Sequence, residues 1–483
     1  MRRWLLAVYC GAALLAAVPD MRLVDAAKIQ DHTAILALLK QHVDVNATDP
    51  EGETALFWAA HLGDAESVDA LTRAGAKVNC ASRYGYTALW EAAQRGDGVI
   101  VGKLLNAGAD AHFANSRGET ALIAAARSGN VDAVKSLLDY GSNPNQKESW
   151  RGETGLMLAA AEGHAEVARM LIAHGANPNI RSTSFELEDR DGIVGLQASL
   201  YWKGGLTALL FAARQGHIET GRALVEGGAG MSLADTDFHF TPLMEAIFNG
   251  HLDFARMLVD KGASLNDGSL YILIDQRTAI PQHGDEQTVA GLTRLWLDRG
   301  ADPNLPFNNG KVPPRITYPA IRYGPIAAGS TPLVSAARTQ DVGSMRMLLD
   351  KHADPNIATT VDRFTPLMAA LSGGGGRRGA RTGASNTLPA IQLLIERGAD
   401  VNAANSRGMT AMHYAARTGN DPAVQLLADH GARLDVKDRL GRTPADMANG
   451  VMTAVTGADG PRNERTASLL GKLRSESENL GIR

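Results

Sequence analysis

The 483-residue sequence predicts an all-α fold, a solenoid of stacked helix-turn-helix units joined by hairpin-like finger loops. Two recurring phrases and their spacing predict it. The first is Thr-(Ala/Pro)-Leu followed by an Ala-Ala pair, beginning at Thr54, Thr87, Thr120, Thr154, Thr207, Thr241, Thr331, Thr365 and Thr410, with a last variant at Thr443. The second is Gly-Ala-x-x-Asn at Gly75, Gly175, Gly262, Gly300 and Gly398, with looser copies at His42, Gly108, Gly141, Gly228, His352 and Gly431. Successive copies of the second start 33, 33, 33, 34, 53, 34, 38, 52, 46 and 33 residues apart. Aromatic content of 5% with 51 glycines suits short helices and tight turns better than a large β-sandwich core. One repetitive architecture therefore fills a length that would otherwise suggest about three globular domains.

Each residue type in the unit has a physical task. The Thr hydroxyl caps a first helix, and a following Pro loses nothing, because the N–H it lacks would have no partner in the first turn. The Ala-Ala pair lets a second helix lie close. The Gly after it, as in Ala92-Ala93-Gln94-Arg95-Gly96, supplies a left-handed C-cap. The second helix carries apolar residues at helical spacing, such as Val134, Leu137 and Leu138, or Val167, Met170, Leu171 and Ile172. It ends at Gly-Ala-x-x-Asn, whose Asn forms a turn toward the next Thr.

At these residues the chain resembles the ankyrin-repeat family, whose unit is 33 residues long with a T-P-L-H-x-A signature. The resemblance covers about Lys28 to Arg474. It departs in two places: the signature His occurs only as His413, and the unit at Ser269-Leu270-Tyr271-Ile272 lacks the Thr. The expected order is a half repeat from Lys28 to Asn46, ten repeats from Gly52 to Asp438 and a closing repeat from Gly441 to about Leu473. That gives one solenoid over 27–475, of about 11–12 units, with a flexible tail at 476–483.

Residues 1–26 read as a signal peptide. Arg2 and Arg3 precede an uncharged, mainly apolar stretch from Trp4 to Val18, too short for a membrane span of about 20 residues. Val24-Asp25-Ala26 offers a cleavage point, and an uncleaved anchor is the competing reading. The expected location is exported, in a periplasm or outside the cell, with no stable membrane insertion after cleavage; a bacterial periplasm fits better than a eukaryotic secretory route. Cleavage would leave Cys80 as the one thiol, expected to be buried.

Four insertions interrupt the period: 181–203 and 303–328 lengthen fingers, while 278–286 and 372–387 separate the two helices of a repeat. Prolines at 306, 313, 314, 319 and 325 resist helix and central strand in the second of these. Gly373-Gly374-Gly375-Gly376-Arg377-Arg378 is not a phosphate loop, since no Gly-Lys-Ser/Thr follows it. Loops this long are often functional, yet surface insertions cost little.

With Lys+Arg 48 against Asp+Glu 52, the formal charge of -4 argues against nucleic acid as partner. No nucleophile elbow, Walker sequence, His-Glu-x-x-His or Cys-x-x-Cys occurs. His164, His217 and His251 each follow the Gly ending a first helix, which is a repeat-structural recurrence rather than a metal set. Glu186, Glu188, Asp189 and Asp191 lack the spacing and Gly of a calcium loop. Neither catalysis, a cofactor nor a metal is expected.

What remains is a surface. The ankyrin resemblance implies contact with another protein through the concave groove, at the fingertips and the exposed ends of first helices. Those positions hold Tyr84, Tyr86, Arg95, Arg117, Arg127, Trp150, Arg151, Arg214, Phe238, Phe240, Phe248, Arg338, Arg407 and Arg417. Aromatics and arginines dominate interface hot spots. Against this, Trp58 and Trp90 fit as fillers between helices, and any Arg can pair with a carboxylate of the next repeat. A monomeric, non-catalytic binding module is expected. The alternatives are an accessory or protective subunit of a periplasmic enzyme and an enzyme whose site lies in the long insertions.

Overall fold

A computed structural model describes residues 20–183, 204–236, 239–276, 286–307, 329–372, 387–450 and 462–479. The first helices are α1 (Arg22–Lys28), α2 (His32–Lys40), α3 (Ala55–Leu62), α4 (Ala65–Arg73), α5 (Ala88–Arg95), α6 (Gly98–Asn106), α7 (Ala121–Ser128), α8 (Val131–Asp139), α9 (Gly155–Glu162) and α10 (Ala165–Ala173). There follow α11 (Ala208–Gln215), α12 (Ile218–Glu226), α13 (Pro242–Phe248), α14 (Leu252–Asp260), α15 (Ser269–Gln276), α16 (Glu286–Asp298) and α17 (Pro332–Arg338). The last are α18 (Val342–Asp350), α19 (Pro366–Leu371), α20 (Thr387–Glu396), α21 (Ala411–Thr418), α22 (Asp421–Asp429), α23 (Pro444–Ala448) and α24 (Glu464–Asn479). Among the described residues the only β-pairing is isolated bridges such as Ala81 to Thr87 and Phe307 to Ser330. The fold is the all-α repeat solenoid that the phrases predict.

The chain divides into two units, Met1–Ala159 with Glu166–Asn177, and Ala160–Ala165 with Pro178–Arg483. In the first, α1, α3, α5 and α7 pack in series as one layer, and α2, α4, α6 and α8 as the other. In the second, the layers run α11, α13, α15, α17, α19, α21, α23 and α12, α14, α16, α18, α20, α22, α24. Small residues permit the close approach: Ala59, Ala60, Ala92, Ala93, Ala212 and Ala213 are all buried.

The caps follow the predicted chemistry. Thr54 Oγ1 accepts from the Phe57 N–H at 3.1 Å, and Thr87, Thr120, Thr207, Thr241, Thr331 and Thr365 cap their helices likewise. The second helices have a cap of their own, Asp31, Asp64, Asp97, Asn130, Asp341 or Asn420, set just before the helix. His217 and His251 occupy that position in two repeats but make no cap bond to their own helix. Their Nε2 atoms lie 3.1 Å from the Ala161 carbonyl and 3.0 Å from the Arg214 carbonyl. Each histidine thus closes the open end of the preceding repeat's first helix. At one such end, Gly163 has φ +85° and a Cβ there would stand 2.8 Å from His217 Nδ1, so the position requires glycine for conformation and space.

The Asn of Gly-Ala-x-x-Asn does more than turn the chain. Asn356 Oδ1 accepts from the Asp400 N–H at 2.8 Å while its Nδ2 donates to the Gly398 carbonyl at 2.9 Å. Asn79, Asn145, Asn179, Asn304 and Asn402 clamp the following repeat in the same two-bond way. A net hydrogen bond of this kind contributes roughly 1 kcal/mol.

Several boundaries differ from expectation. The expected half repeat at Lys28 is a complete helix pair, because Leu23, Val24, Ala26 and Ala27 of α1 are buried. Helix α24 carries on to Asn479 through the tail expected from 476. The finger insertion expected at 303–328 begins later: Asn304 is a regular clamp, and Phe307, 2% exposed, receives a backbone bond from Gly329 and gives one to Ser330. Ser182 and Leu206 close the other long finger in the same manner, by a 2.8 Å backbone bond and a 3.0 Å bond from the Leu206 N–H to Ser182 Oγ. Both insertions therefore leave the stack through an ordinary finger neck. Residues 184–203, 277–285, 308–328 and 373–386, the acidic group at 186–191 and the glycine run lie outside the described residues. Cys80 is half-buried, not buried as expected.

The repeat at Ser269 lacks Thr and still forms a packed helix. Asp267 accepts from the Ser269 N–H at 2.9 Å and from Thr241 Oγ1 at 2.6 Å, replacing the missing hydroxyl cap. Leu270, Tyr271, Ile272, Leu273 and Ile274 are at most 3% exposed.

His413, the one signature histidine, is fully buried. Its Nδ1 accepts from the Thr410 N–H at 3.0 Å and Nε2 faces the Arg442 carbonyl at 3.2 Å. This fixes the neutral tautomer with its proton on Nε2. Burial lowers its pKa below the ordinary 6.5, outweighing the carbonyls that favour the charged ring. As pH falls below about 6.5 the unfolded chain takes up this proton first, so stability drops until the folded histidine protonates too. Urea midpoints measured from about pH 7.5 to about pH 5 should fall for the native chain and fall less for His413→Gln, whose amide can still cap Thr410. Parallel pH profiles would refute this role.

Candidate protein-interaction surface

The fingers are short hairpins held by their own side chains. Glu148 shows the arrangement: its carboxylate accepts from the backbone N–H groups of Trp150 at 2.6 Å, Arg151 at 2.6 Å and Glu153 at 2.9 Å. Asn115, Asn405 and Asp438 do the same work in their fingers. Neighbouring tips are tied together. In the first unit the Arg83 N–H donates to the Glu51 carbonyl at 2.7 Å, Ser116 Oγ to the Tyr84 carbonyl at 2.8 Å and the Ser149 N–H to the Arg117 carbonyl at 2.7 Å. In the second unit the Ser406 N–H donates to the Asp362 carbonyl and the Arg439 N–H to the Arg407 carbonyl, each at 2.9 Å.

Such tips hold side chains outward on a rigid base. Tyr84 is 57% exposed and Trp150 62%, while Arg117, Arg151 and Arg407 are also exposed. The Arg151 guanidinium lies 4.3 Å from the centre of the Trp150 ring, which orders it in advance of any partner. Val361 and Leu440 are exposed at tips of the second unit.

The first-helix ends behave differently. Tyr86 is half-buried against Trp90, ring centres 4.4 Å apart, and Trp58 donates to Asp49 at 3.3 Å, in keeping with gap filling. Arg95 and Arg417 are exposed. Arg95 Nη1 donates to the His61 carbonyl at 3.2 Å, a helix-end contact like that of His217, and Arg417 sits 5.2 Å over the Tyr414 ring. Three arginines placed at the surface by sequence are ion-paired to buried carboxylates: Arg127 to Glu119 at 2.8 Å, Arg214 to Glu245 at 2.7 Å, and Arg338 to Asp275. Around Glu153, burial raises the carboxyl pKa above its ordinary value, with Arg151 opposing it.

Two expected contact residues belong to the core. Phe240 is 0% and Phe248 7% exposed, packed edge to face with centres 5.5 Å apart, because the Phe240 N–H is drawn inward by Asp235 at 2.8 Å. Phe238 lies outside the described residues. Sequence reasoning missed Arg83, exposed at its tip; the signal was present, since Arg83, Arg117 and Arg151 recur at intervals of 34 residues.

Among the described residues no group of three or more His, Cys, Asp or Glu is placed to hold a metal ion. Among the same residues no helix is long and apolar enough to cross a membrane.

Family models agree with the geometry. A model described as ankyrin repeats in three copies matches 23–112, 89–182, 193–268 and 380–452, and a single ankyrin-repeat model matches 328–360. Curated relatives named "Ankyrin repeat, SAM and basic leucine zipper domain-containing protein 1" are 39% identical in Loxodonta africana, 38% in Mus musculus and 37% in Notamacropus eugenii, each over 92 residues. The match takes in 19% of this chain and 18% of each of these relatives. With family models covering more than half of the sequence, and with stacked helix pairs, capping threonines and finger hairpins throughout the described repeats, the chain belongs to the ankyrin-repeat family.

Proposed function

We propose that this chain is a non-catalytic scaffold that binds another protein, with its fingertips as the principal contacts, and that it acts after export. The observation that carries the binding reading is the exposure of Tyr84 and Trp150 on adjoining, internally bonded hairpins. Large rings held in water on a rigid base are hot-spot chemistry: they add buried area on association with little ordering cost. The arginines fastened to Glu119, Glu245 and Asp275 favour a structural role for the helix ends over a contact role. The export reading rests on Arg2, Arg3 and the apolar stretch to Val18.

Affinity capture tests it, with a tagged chain beginning at Asp20 as bait in an extract of the source organism and Tyr84→Ala/Trp150→Ala as the comparison bait. A saturable protein held by the native bait and lost by the variant is the expected result. Equal retention by both baits would remove the fingertips from the interface.

A further inference from the structure

The tips of the first unit share a charge pattern that points to the kind of segment they take. Arg83 and Arg117 are exposed, and among the described residues neither is ion-paired to a carboxylate, unlike Arg127 on the helix behind them. The acidic groups nearest in sequence are occupied elsewhere. Glu148 is spent on three backbone N–H groups, Glu119 is 8% exposed and bound to Arg127, and Glu153 is 6% exposed. Arg151 lies against Trp150 with its side chain 47% exposed and the Glu153 carboxylate 4.0 Å away. Positive charge on this row is therefore not neutralised from within.

The tips are also in register. Tyr84, Arg117 and Trp150 stand on successive fingers joined backbone to neighbour, Tyr84 to Ser116 and Arg117 to Ser149. Packed helices lie about 8–10 Å apart, which sets the step from tip to tip. An extended chain advances about 3.3 Å per residue. One fingertip therefore corresponds to about three residues of an extended strand laid along the row. On the first tip Glu51 is exposed, so the cationic stretch is bounded at that end.

We propose that the fingertip row Arg83, Tyr84, Arg117, Trp150 and Arg151 takes an extended acidic protein segment with carboxylates at about every third residue. This rests on the scaffold reading above and names the chemistry of its partner. Each carboxylate meets one guanidinium, for which a planar two-pronged bond is available, and the residues between lie against Tyr84 and Trp150. The protein's formal charge of -4 makes selection of the row depend on this local pattern, not on overall attraction.

The test uses the chain from Asp20 and two labelled peptides of equal composition, one with Asp at every third position and one with the same Asp residues clustered, compared by fluorescence anisotropy. The spaced peptide is expected to bind, with the clustered one weaker by at least about tenfold. Arg117→Glu should abolish binding of the spaced peptide, and Arg73→Glu, the same charge change on α4, should leave it intact; helix content by circular dichroism should be native in both. Equal affinity for the two peptides, binding unaffected by Arg117→Glu, or no binding overturns the proposal. So does tighter binding to duplex DNA or to anionic phosphatidylserine vesicles than to the spaced peptide. If a captured protein still needs Tyr84 and Trp150 while the peptides fail, the scaffold reading stands and only the acidic-segment assignment falls.

Discussion

A chain beginning at Ala27 is expected to be less stable at its N-terminal end than one beginning at Asp20, by about 3–5 kcal/mol. Leu23 and Val24, 1% and 0% exposed, are the apolar face of α1 that packs on α3. Cutting after Ala26 removes both and leaves two residues of the seven-residue helix. The bared surface includes the partners of Ile35 and Leu56, which are 0% and 1% exposed in the intact chain. Lys28 loses its helical support as well. Its ammonium lies 2.9 Å from Asp49, a carboxylate 4% exposed. Burial pulls the Asp49 pKa upward, but the bonds from Lys28, the Glu53 N–H and Trp58 hold it below the ordinary value. A frayed Lys28 would leave that buried charge short of its main partner.

Repeat stacks come apart from their ends, so the loss should be local. Hydrogen exchange of α2 and α3 is the direct measurement: protection is expected to collapse in the chain from Ala27 and persist in the chain from Asp20, with α5 and α7 altered little. Equal protection in the two chains would mean that α1 contributes nothing to the stack. The result bears on processing. If a leader is removed, a cut before Arg22 preserves the first repeat, whereas the cut expected near Ala26 destroys it.

The repeat was legible because its determinants are local. Thr54, Thr87 and Thr241 each cap a helix three residues away, and glycines at fixed offsets end it. A local phrase does not reveal where an outward-reading residue goes. Arg127 and Arg117 stand ten residues apart near one finger, yet one is tied to Glu119 and the other faces water. Phe240 and Phe248 flank a cap at Thr241 just as surface residues do in other repeats, and they turn inward because Asp235 holds the Phe240 backbone. Pairings across repeats are harder still. The Asn clamps join residues 29 to 49 positions apart, and their partners are backbone groups that carry no sequence signature. Helix α1 was hidden for another reason: its Leu23 and Val24 continue the apolar run of the leader, so composition alone assigns them to it.

Replacing Arg338 by Ala is expected to cost about 3–5 kcal/mol of stability in the second unit, although its position at the end of a first helix reads as a contact site. The reason lies 63 residues earlier in the chain. Asp275, at the end of α15, has a side chain only 2% exposed. Its Oδ1 accepts from Ser335 Oγ at 2.9 Å and from the Arg338 guanidinium. A carboxylate so placed is tolerated only with its partners, and removal of the cation leaves an uncompensated buried charge. The intact pair need not be favourable in itself, because desolvation of both ions offsets their attraction. Asp275→Leu combined with Arg338→Met should therefore recover most of what Arg338→Ala loses, with a large coupling in the double-mutant cycle. Urea unfolding followed by circular dichroism measures it. Should Arg338→Ala leave the midpoint unchanged while weakening a bound partner, the arginine would be a contact residue after all. If both singles and the double are equally destabilised, packing at α15 and α17, not charge, is what Arg338 supplies. The expected order, with the double above Arg338→Ala, would explain how the repeat that lacks its capping Thr keeps α15 in register with α17: a buried charge on one helix is answered by a hydroxyl and a guanidinium on the next.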